Sequence, residues 1–208
     1  MIAALVPVKD LAHSKSRLLP ELGPEAARRL ALAMLGDVLE ALRGVPRLAL
    51  IAVVTPDAAA AELARAEGAQ ALLRPDPGLN PAVDAAVAEL APGPEDGALV
   101  LLADVAGARA RDLEALLDAL PGPGVAIAPS GDGGTAALLR RPAQVIPAGF
   151  GPGSAKRHRE LAARAGVSFC ELPLPSLALD VDDLADLEEL RARGAAGRRT
   201  RALLEVLP

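Results

Sequence analysis

The chain has 208 residues, 51% of them apolar and 24% charged, with a formal net charge of −5 and a pI near 5.1. That length holds one domain with a full core, so residues 1–208 are read as a single domain, and no apolar run approaches the roughly 18 residues of a membrane span. Without Trp or Tyr, with two Phe and an acidic balance, the composition excludes a nucleic-acid surface of basic patches and stacking aromatics.

The single cysteine, Cys170, makes no internal disulfide and reads as inert core in an apolar strand. The first residues, MIAALVPVKD, lack a basic stretch before the apolar run and a small-residue cleavage site, and the expectation is a cytoplasmic protein.

Residues 2–8 (IAALVPV) read as a buried strand, followed by a polar loop to Leu22. Pro24 at a first-turn position opens a helix with Leu30, Met34, Val38 and Leu42 on one stripe and Gly44 closing it. LALIAVV at 48–54 is a strand, Asp57 caps an Ala-rich helix ending at Gly68, and Ala71 to Leu73 is a short strand. Asn80-Pro81 reads as an N-cap and first-turn pair opening a helix to Leu90; GALVLL at 97–102 is a strand running into Asp104, and Asp112 to Leu120 is helical. Successive βα units predict an α/β fold, a mainly parallel sheet flanked by helices on both faces.

Beyond residue 120 the rhythm changes. Strands at 124–129 and 136–140, a helix capped by Ser154, strands near 167–172 and 177–181, a helix from Asp183 to Arg193 and a last amphipathic stretch from Arg198 to Leu207 predict an antiparallel part of the same mixed sheet. Arg198, Arg199 and Arg201 read as a solvated face. The apolar stripes serve a core or a homodimer equally well.

Scarcity of polar residue types directs attention to particular loops. Only three of the 22 basic residues are Lys: Lys9, Lys15 and Lys156; the two His are His13 and His158, and Asn80 is the only Asn. These collect in segments 9–17, 76–80, 130–135 and 150–158, mostly after strands, and ligands of open α/β sheets bind beyond the carboxyl ends of the strands. Lys9, Lys15 and Arg17 form a donor-rich loop suited to a triphosphate, without the glycine pattern of a Walker loop, and a solvated basic loop is the plain alternative. Asn80 is grouped with them as nucleotide-binding. Asp104 ends a strand, and the period-two pair Asp180 and Asp182 would repel unless a cation such as Mg²⁺ lay between them; helix capping by Asp182 or Asp183 is the alternative. The glycine turns at 130–135 and 150–158 offer backbone N–H groups and the hydroxyls of Thr135 and Ser154, the second at a helix N-terminus, which suits an anion. His13 and His158 read either as phosphate contacts or as surface residues.

Taken in order, VPVKDLAHSKSRL, ALAMLGDVLEAL, DPGLNPAVDAA, LLAD, GGTAALL, FGPGSAKRH and LDVDDLADL resemble the guanylyltransferase family of deazaflavin coenzyme F(420) biosynthesis, the 2-phospho-L-lactate or phosphoenolpyruvate guanylyltransferases. The resemblance covers nearly the whole chain and implies a GT-A-like nucleotidyltransferase fold. It further implies GTP and a small phosphorylated acid as partners, with Mg²⁺ on Asp104, Asp180 and Asp182. Thr135, Gly151 and Ser154 would lie on the acid, and Lys9, Lys15 and Arg17 near the GTP phosphates, with Lys9, Lys15, Arg17 and Asp104 carrying catalysis. Val105-Ala106 follows Asp104 where the family often has Leu-Pro, and Ser130-Gly131 stands where it often has Asp-Arg. The alternatives are a nucleotidyltransferase of the same fold for a molybdopterin or sugar phosphate, and a GTP-binding homologue without turnover.

Overall fold

The computed structural model describes residues 1–12 and 15–207. Seven strands are present: β1 (Ile2–Pro7), β2 (Leu50–Thr55), β3 (Gln70–Leu73), β4 (Gly97–Leu101), β5 (Gly124–Pro129), β6 (Thr135–Arg141) and β7 (Ser168–Glu171). They form one sheet in the order β3-β2-β1-β4-β6-β5-β7. β6 runs antiparallel to both neighbours, β4 and β5, while the other neighbouring pairs are parallel. The expected α/β architecture is observed.

The helices are α1 (Leu19–Arg43), α2 (Ala58–Ala66), α3 (Leu79–Leu90), α4 (Ala110–Asp118), α5 (Ser154–Ala165), α6 (Leu184–Arg193) and α7 (Arg198–Leu204). Alternation along each strand splits the core between the sheet's faces. Ala4 and Val6 of β1 pack with Val38 and Leu42 of α1, Ala60 of α2 and Leu113 of α4. Ala3 and Leu5 pack on the other face with Val83 and Val87 of α3 and Ala162 of α5. A third cluster, with Leu30 and Met34 of α1, Leu187 and Leu190 of α6 and Leu203 of α7, fastens the C-terminal helices to α1. Among the described residues no helix is long and apolar enough to cross a membrane.

Several local expectations need correcting. A short helical turn precedes the break at Gly23 (φ 73°), after which Pro24 opens the long segment of α1. Residues 177–181 are not a strand: the chain makes a 3-10 turn at Pro175–Leu177 and then runs irregularly. Pro173 and Pro175 carry no N–H for a sheet ladder. α3 begins at Leu79 with Gly78 as N-cap, so Asn80 lies inside the helix. α5 is capped by Gly153 in the left-handed region, and Ser154 is its first residue. Arg199 is not merely solvated: it pairs with Glu67 at 2.6 Å, and the α7 N–H groups of Arg199 and Thr200 meet the buried Asp37 carboxylate at 2.9 and 2.8 Å. Cys170 lies on the edge strand β7 and is only partly buried.

The most demanding charge in the core is Arg140 on β6, 1% exposed, whose Nη1 donates to Asp84 Oδ1 on α3 (2.9 Å) and to the Ile146 carbonyl (2.8 Å). Asp84 also accepts from the Ala148 N–H at 3.0 Å, so one carboxylate ties α3 and the loop after β6 together. Removing one partner of a buried ion pair leaves the other charge uncompensated. Because Asp84 is 39% exposed, Asp84→Ala is expected to lower unfolding free energy by roughly 2–4 kcal/mol, less than for a fully dry pair, as read by urea denaturation.

Candidate active site

The parallel strands direct β1 and β4 toward one rim, where β1 enters the 9–18 loop and β4 leads through Leu102 and Ala103 to Asp104. The reversal of β6 brings its first residue, Thr135, to that rim, because Leu101 of β4 pairs with Ala137 and Leu102 N–H donates to Ala136. Thus the carboxylate loop of β4 and the glycine turn before β6 share an edge.

A cleft of about 380 Å³ opens beside the 9–18 loop, and Lys9, Lys15, Arg17, Asp104 and Asp182 line it. That volume falls in the range of small-ligand sites. Lys15 lies between two carboxylates, with Nζ 2.9 Å from both Asp104 Oδ2 and Asp182 Oδ1. Its backbone is left-handed (φ 53°), unique to it among the described non-glycine residues, and its side chain is 8% exposed. Burial works against the charge, but the pull of Asp104 and then Asp182 outweighs it and holds the Lys15 pKa above its ordinary value.

Asp180 stands beside the same charges. Burial first, then the neighbouring Asp104, pushes its carboxyl up to about 6, with Asp132 and Asp182 adding to the rise. Asp104 Oδ1 is buried and has no hydrogen-bond partner among the described residues. Among the described residues no three His, Cys, Asp or Glu side chains are grouped to hold a metal by themselves. Asp183, rather than Asp182, is the N-cap of α6, in a capping box with Asp186, which leaves the Asp182 carboxylate to Lys15.

The glycine turns form a second, drier cluster. Ser130 Oγ and the Gly134 N–H donate to Asp132 Oδ1 at 2.6 and 2.8 Å, shaping the turn into Thr135. Thr135 Oγ1 lies 3.1 Å from Ser154 Oγ and 3.0 Å from His158 Nδ1, and His158 Nε2 accepts from the Gly149 N–H at 3.1 Å. Gly151 (φ 113°) and the left-handed Gly153 bend the chain onto the N-terminus of α5, conformations that L side chains rarely adopt. Asn80 clamps this loop from α3, accepting from the Phe150 N–H at 2.8 Å and donating to the Phe150 carbonyl at 3.2 Å. The two clusters are joined through backbone: Gly131 N–H donates to Ala178 and Val181 N–H to Asp104.

The structure therefore brings Lys15, Asp104 and Asp182 into direct contact, sets Lys9 and Arg17 in the same cleft and Asp180 beside it, and joins Thr135 to Ser154. Asn80 binds protein backbone, and Lys156 stands apart, 81% exposed beside Glu160. His13 lies outside the described residues. His158 is neither a surface residue nor a free phosphate contact but is fully buried. Asp84, Arg140 and the structural part of His158 escaped the sequence reading, since nothing local distinguishes Arg140 from its half-buried neighbour Arg141.

Residues 2–207 match the guanylyl transferase CofC like family. The chain belongs to that family. It is 40% identical to the phosphoenolpyruvate guanylyltransferase of Sphaerobacter thermophilus, covering 93% of this chain and 94% of that one, and 43% identical to that of Nocardia farcinica (98% and 90%). It is 37% identical to the 3-phospho-D-glycerate guanylyltransferase of Phenylobacterium zucineum, covering 100% and 97%. Among solved structures, a Desulfovibrio desulfuricans protein provisionally described as a nucleotide-diphospho-sugar transferase superposes with a TM-score of 0.79 at 22% identity (98% and 94% covered). A nucleotidyl transferase from Methanothermobacter thermautotrophicus does so at 0.65 and 20% (93% and 97%). The chain is a nucleotidyltransferase with the fold that these structures share.

Burial, with the positive charges of Arg140 and Arg157 outweighing the opposite pull of Asp84, lowers the His158 pKa from 6.5 to about 4. Between those values the unfolded chain binds a proton that the folded chain refuses, so stability falls as pH drops through this window and is independent of this group above it. Urea denaturation at pH 7 and pH 5 is expected to show wild-type protein losing about 2 kcal/mol more than His158→Gln over that step. Equal losses would mean that the imidazole is not held neutral.

Proposed function

We propose that the protein transfers GMP from GTP to the phosphate of a small phosphorylated three-carbon acid and releases pyrophosphate. The observation that carries this reading is the Lys15 ammonium seated between Asp104 and Asp182 at the mouth of a basic cleft. The names of the relatives support guanylyl transfer and acids of the phosphoenolpyruvate and 3-phosphoglycerate type, and the resemblance extends the proposal to 2-phospho-L-lactate and to coenzyme F(420) biosynthesis.

Lys9, Lys15 and Arg17 present three cations on one loop, the charge that a triphosphate requires. The acid lies on the other side of Asp104, against Thr135, Ser154 and the Gly151 turn at the N-terminus of α5, where backbone N–H groups and the helix dipole favour an anion. A phosphate oxygen of the acid attacks the α-phosphorus, a new P–O bond forms, and the bond to the β-phosphate breaks, so that pyrophosphate leaves with the electron pair. A phosphate monoester loses its second proton near pH 6, so this nucleophile needs no general base. The chain's task is to hold two mutually repelling anions in line and to offset the charge that develops on the leaving group.

The residues fit Mg²⁺. Asp104 and Asp182 supply hard oxygen donors that already share one cation, the buried Asp104 Oδ1 has no hydrogen-bond partner among the described residues, and substrate phosphates complete such a shell. Asp104 and Asp182, with Asp180 beside them, would hold the ion, and when bound it supplies Lewis-acid stabilisation of phosphate charge. Lys15 is then free to turn toward the phosphates.

Pyrophosphate release from GTP and Mg²⁺ should appear with one of phosphoenolpyruvate, 2-phospho-L-lactate or 3-phospho-D-glycerate and be weak with ATP or CTP. Asp104→Asn should lower turnover on the order of 100-fold or more while the thermal midpoint stays within a few degrees. A folded Asp104→Asn enzyme at the wild-type rate would remove Asp104 from the machinery.

A further inference from the structure

His158 touches neither the cleft nor the carboxylates, yet it fixes the direction of every hydrogen bond in the hydroxyl cluster. A neutral imidazole carries one N–H, and Nε2 is already an acceptor because the Gly149 N–H points at it. The ring proton is therefore on Nδ1 and is donated to Thr135 Oγ1. Thr135 and Ser154 have two O–H protons between them. One forms their mutual bond, and His158, being a donor on that side, cannot accept the other. Among the described hydrogen bonds neither hydroxyl meets a further acceptor, and both residues are buried, 2% and 0% exposed. An unmade donor in such a place is penalised until an acceptor arrives.

We infer that His158 is a positioning residue which, by donating from Nδ1, leaves the Thr135–Ser154 pair with one O–H directed at an anionic oxygen of the acid substrate. With the opposite tautomer the imidazole would accept the Thr135 proton and the cluster would offer the substrate lone pairs, which repel an anion. The burial that keeps the ring neutral at pH 7 works in the same sense, because an imidazolium could not accept from Gly149. Gly149 precedes the Phe150 and Gly151 turn, so the bond that sets the tautomer also anchors the turn that faces the acid. The inference rests on the proposed acid site and adds to it a specific hydrogen-bond polarity.

Two measurements test it, and their failures differ. Nitrogen NMR of the wild-type protein, with two histidines in the sequence and His158→Gln to assign them, should show His158 at pH 7 as the neutral Nδ1–H tautomer. An Nε2–H tautomer or an imidazolium would overturn the inference while leaving the acid site itself untouched. Steady-state kinetics of Thr135→Val, which keeps the shape and removes the hydroxyl, should raise KM for the accepted acid about tenfold and leave KM for GTP within twofold. An unchanged acid KM in folded Thr135→Val protein would overturn both the inference and the reading of this cluster as the acid site. His158→Asn, which can still donate to Thr135, should raise the acid KM less than His158→Gln, which can still accept from Gly149 but no longer donates. The reverse order would show that His158 acts only by anchoring the loop.

Discussion

The site is organised by repulsion among carboxylates. Asp104, Asp132, Asp180 and Asp182 lie close enough at one rim for three of them to raise the pKa of the fourth, Asp180, and Lys15 bridges two of them at 2.9 Å. Like charges gathered in a partly buried place persist only where a cation shares them. The left-handed backbone at Lys15 fits this role, since it is an uncommon conformation for a residue with a side chain and is retained where surrounding interactions fix it. The cation that shares these carboxylates in the structure is the Lys15 ammonium.

The sheet makes this crowding geometrically available. Parallel strands put the β1 and β4 loops at one edge, and the reversed β6 adds the start of a strand to a rim that otherwise collects strand ends. Thr135 therefore stands within one sheet position of the chain leaving β4. The α6 capping box holds Asp183 and frees Asp182, while Val181 is tied to the backbone of Asp104, so the irregular stretch after Leu177 presents its carboxylates without being part of the sheet.

The legible parts of the fold are those that a short window of sequence controls. LALIAVV can only be a buried strand, and the spacing of Leu30, Met34, Val38 and Leu42 can only be a helix packed on one side; all four leucine-stripe positions are buried. The segment LALDVD imitates strand alternation, but the prolines before it remove two ladder donors, and a window confined to residues 177–181 does not contain them. Ser154 resembles a helix cap by residue type, yet Gly153 takes the left-handed conformation and rotates Ser154 inward. The grouping of Lys15 with Asp104 and Asp182, 89 and 167 positions away, was legible only as scarce residue types at strand ends. Asp84 and Arg140 gave no such signal, because their partnership, 56 positions apart, exists only in the folded chain.

That buried pair reaches further than the loop it holds. Arg140 is fully enclosed, and its charge together with Arg157 opposes a second positive charge at His158 more strongly than Asp84 favours one. A neutral imidazole is what allows the Gly149 N–H to be accepted at Nε2. The two halves of the rim thus handle charge by opposite means. The Lys15 half balances partly buried carboxylates with an ammonium. The Thr135 half is dry, uses hydrogen bonds among neutral groups, and feels the charge of Arg140 without contact to it in the hydrogen-bond network.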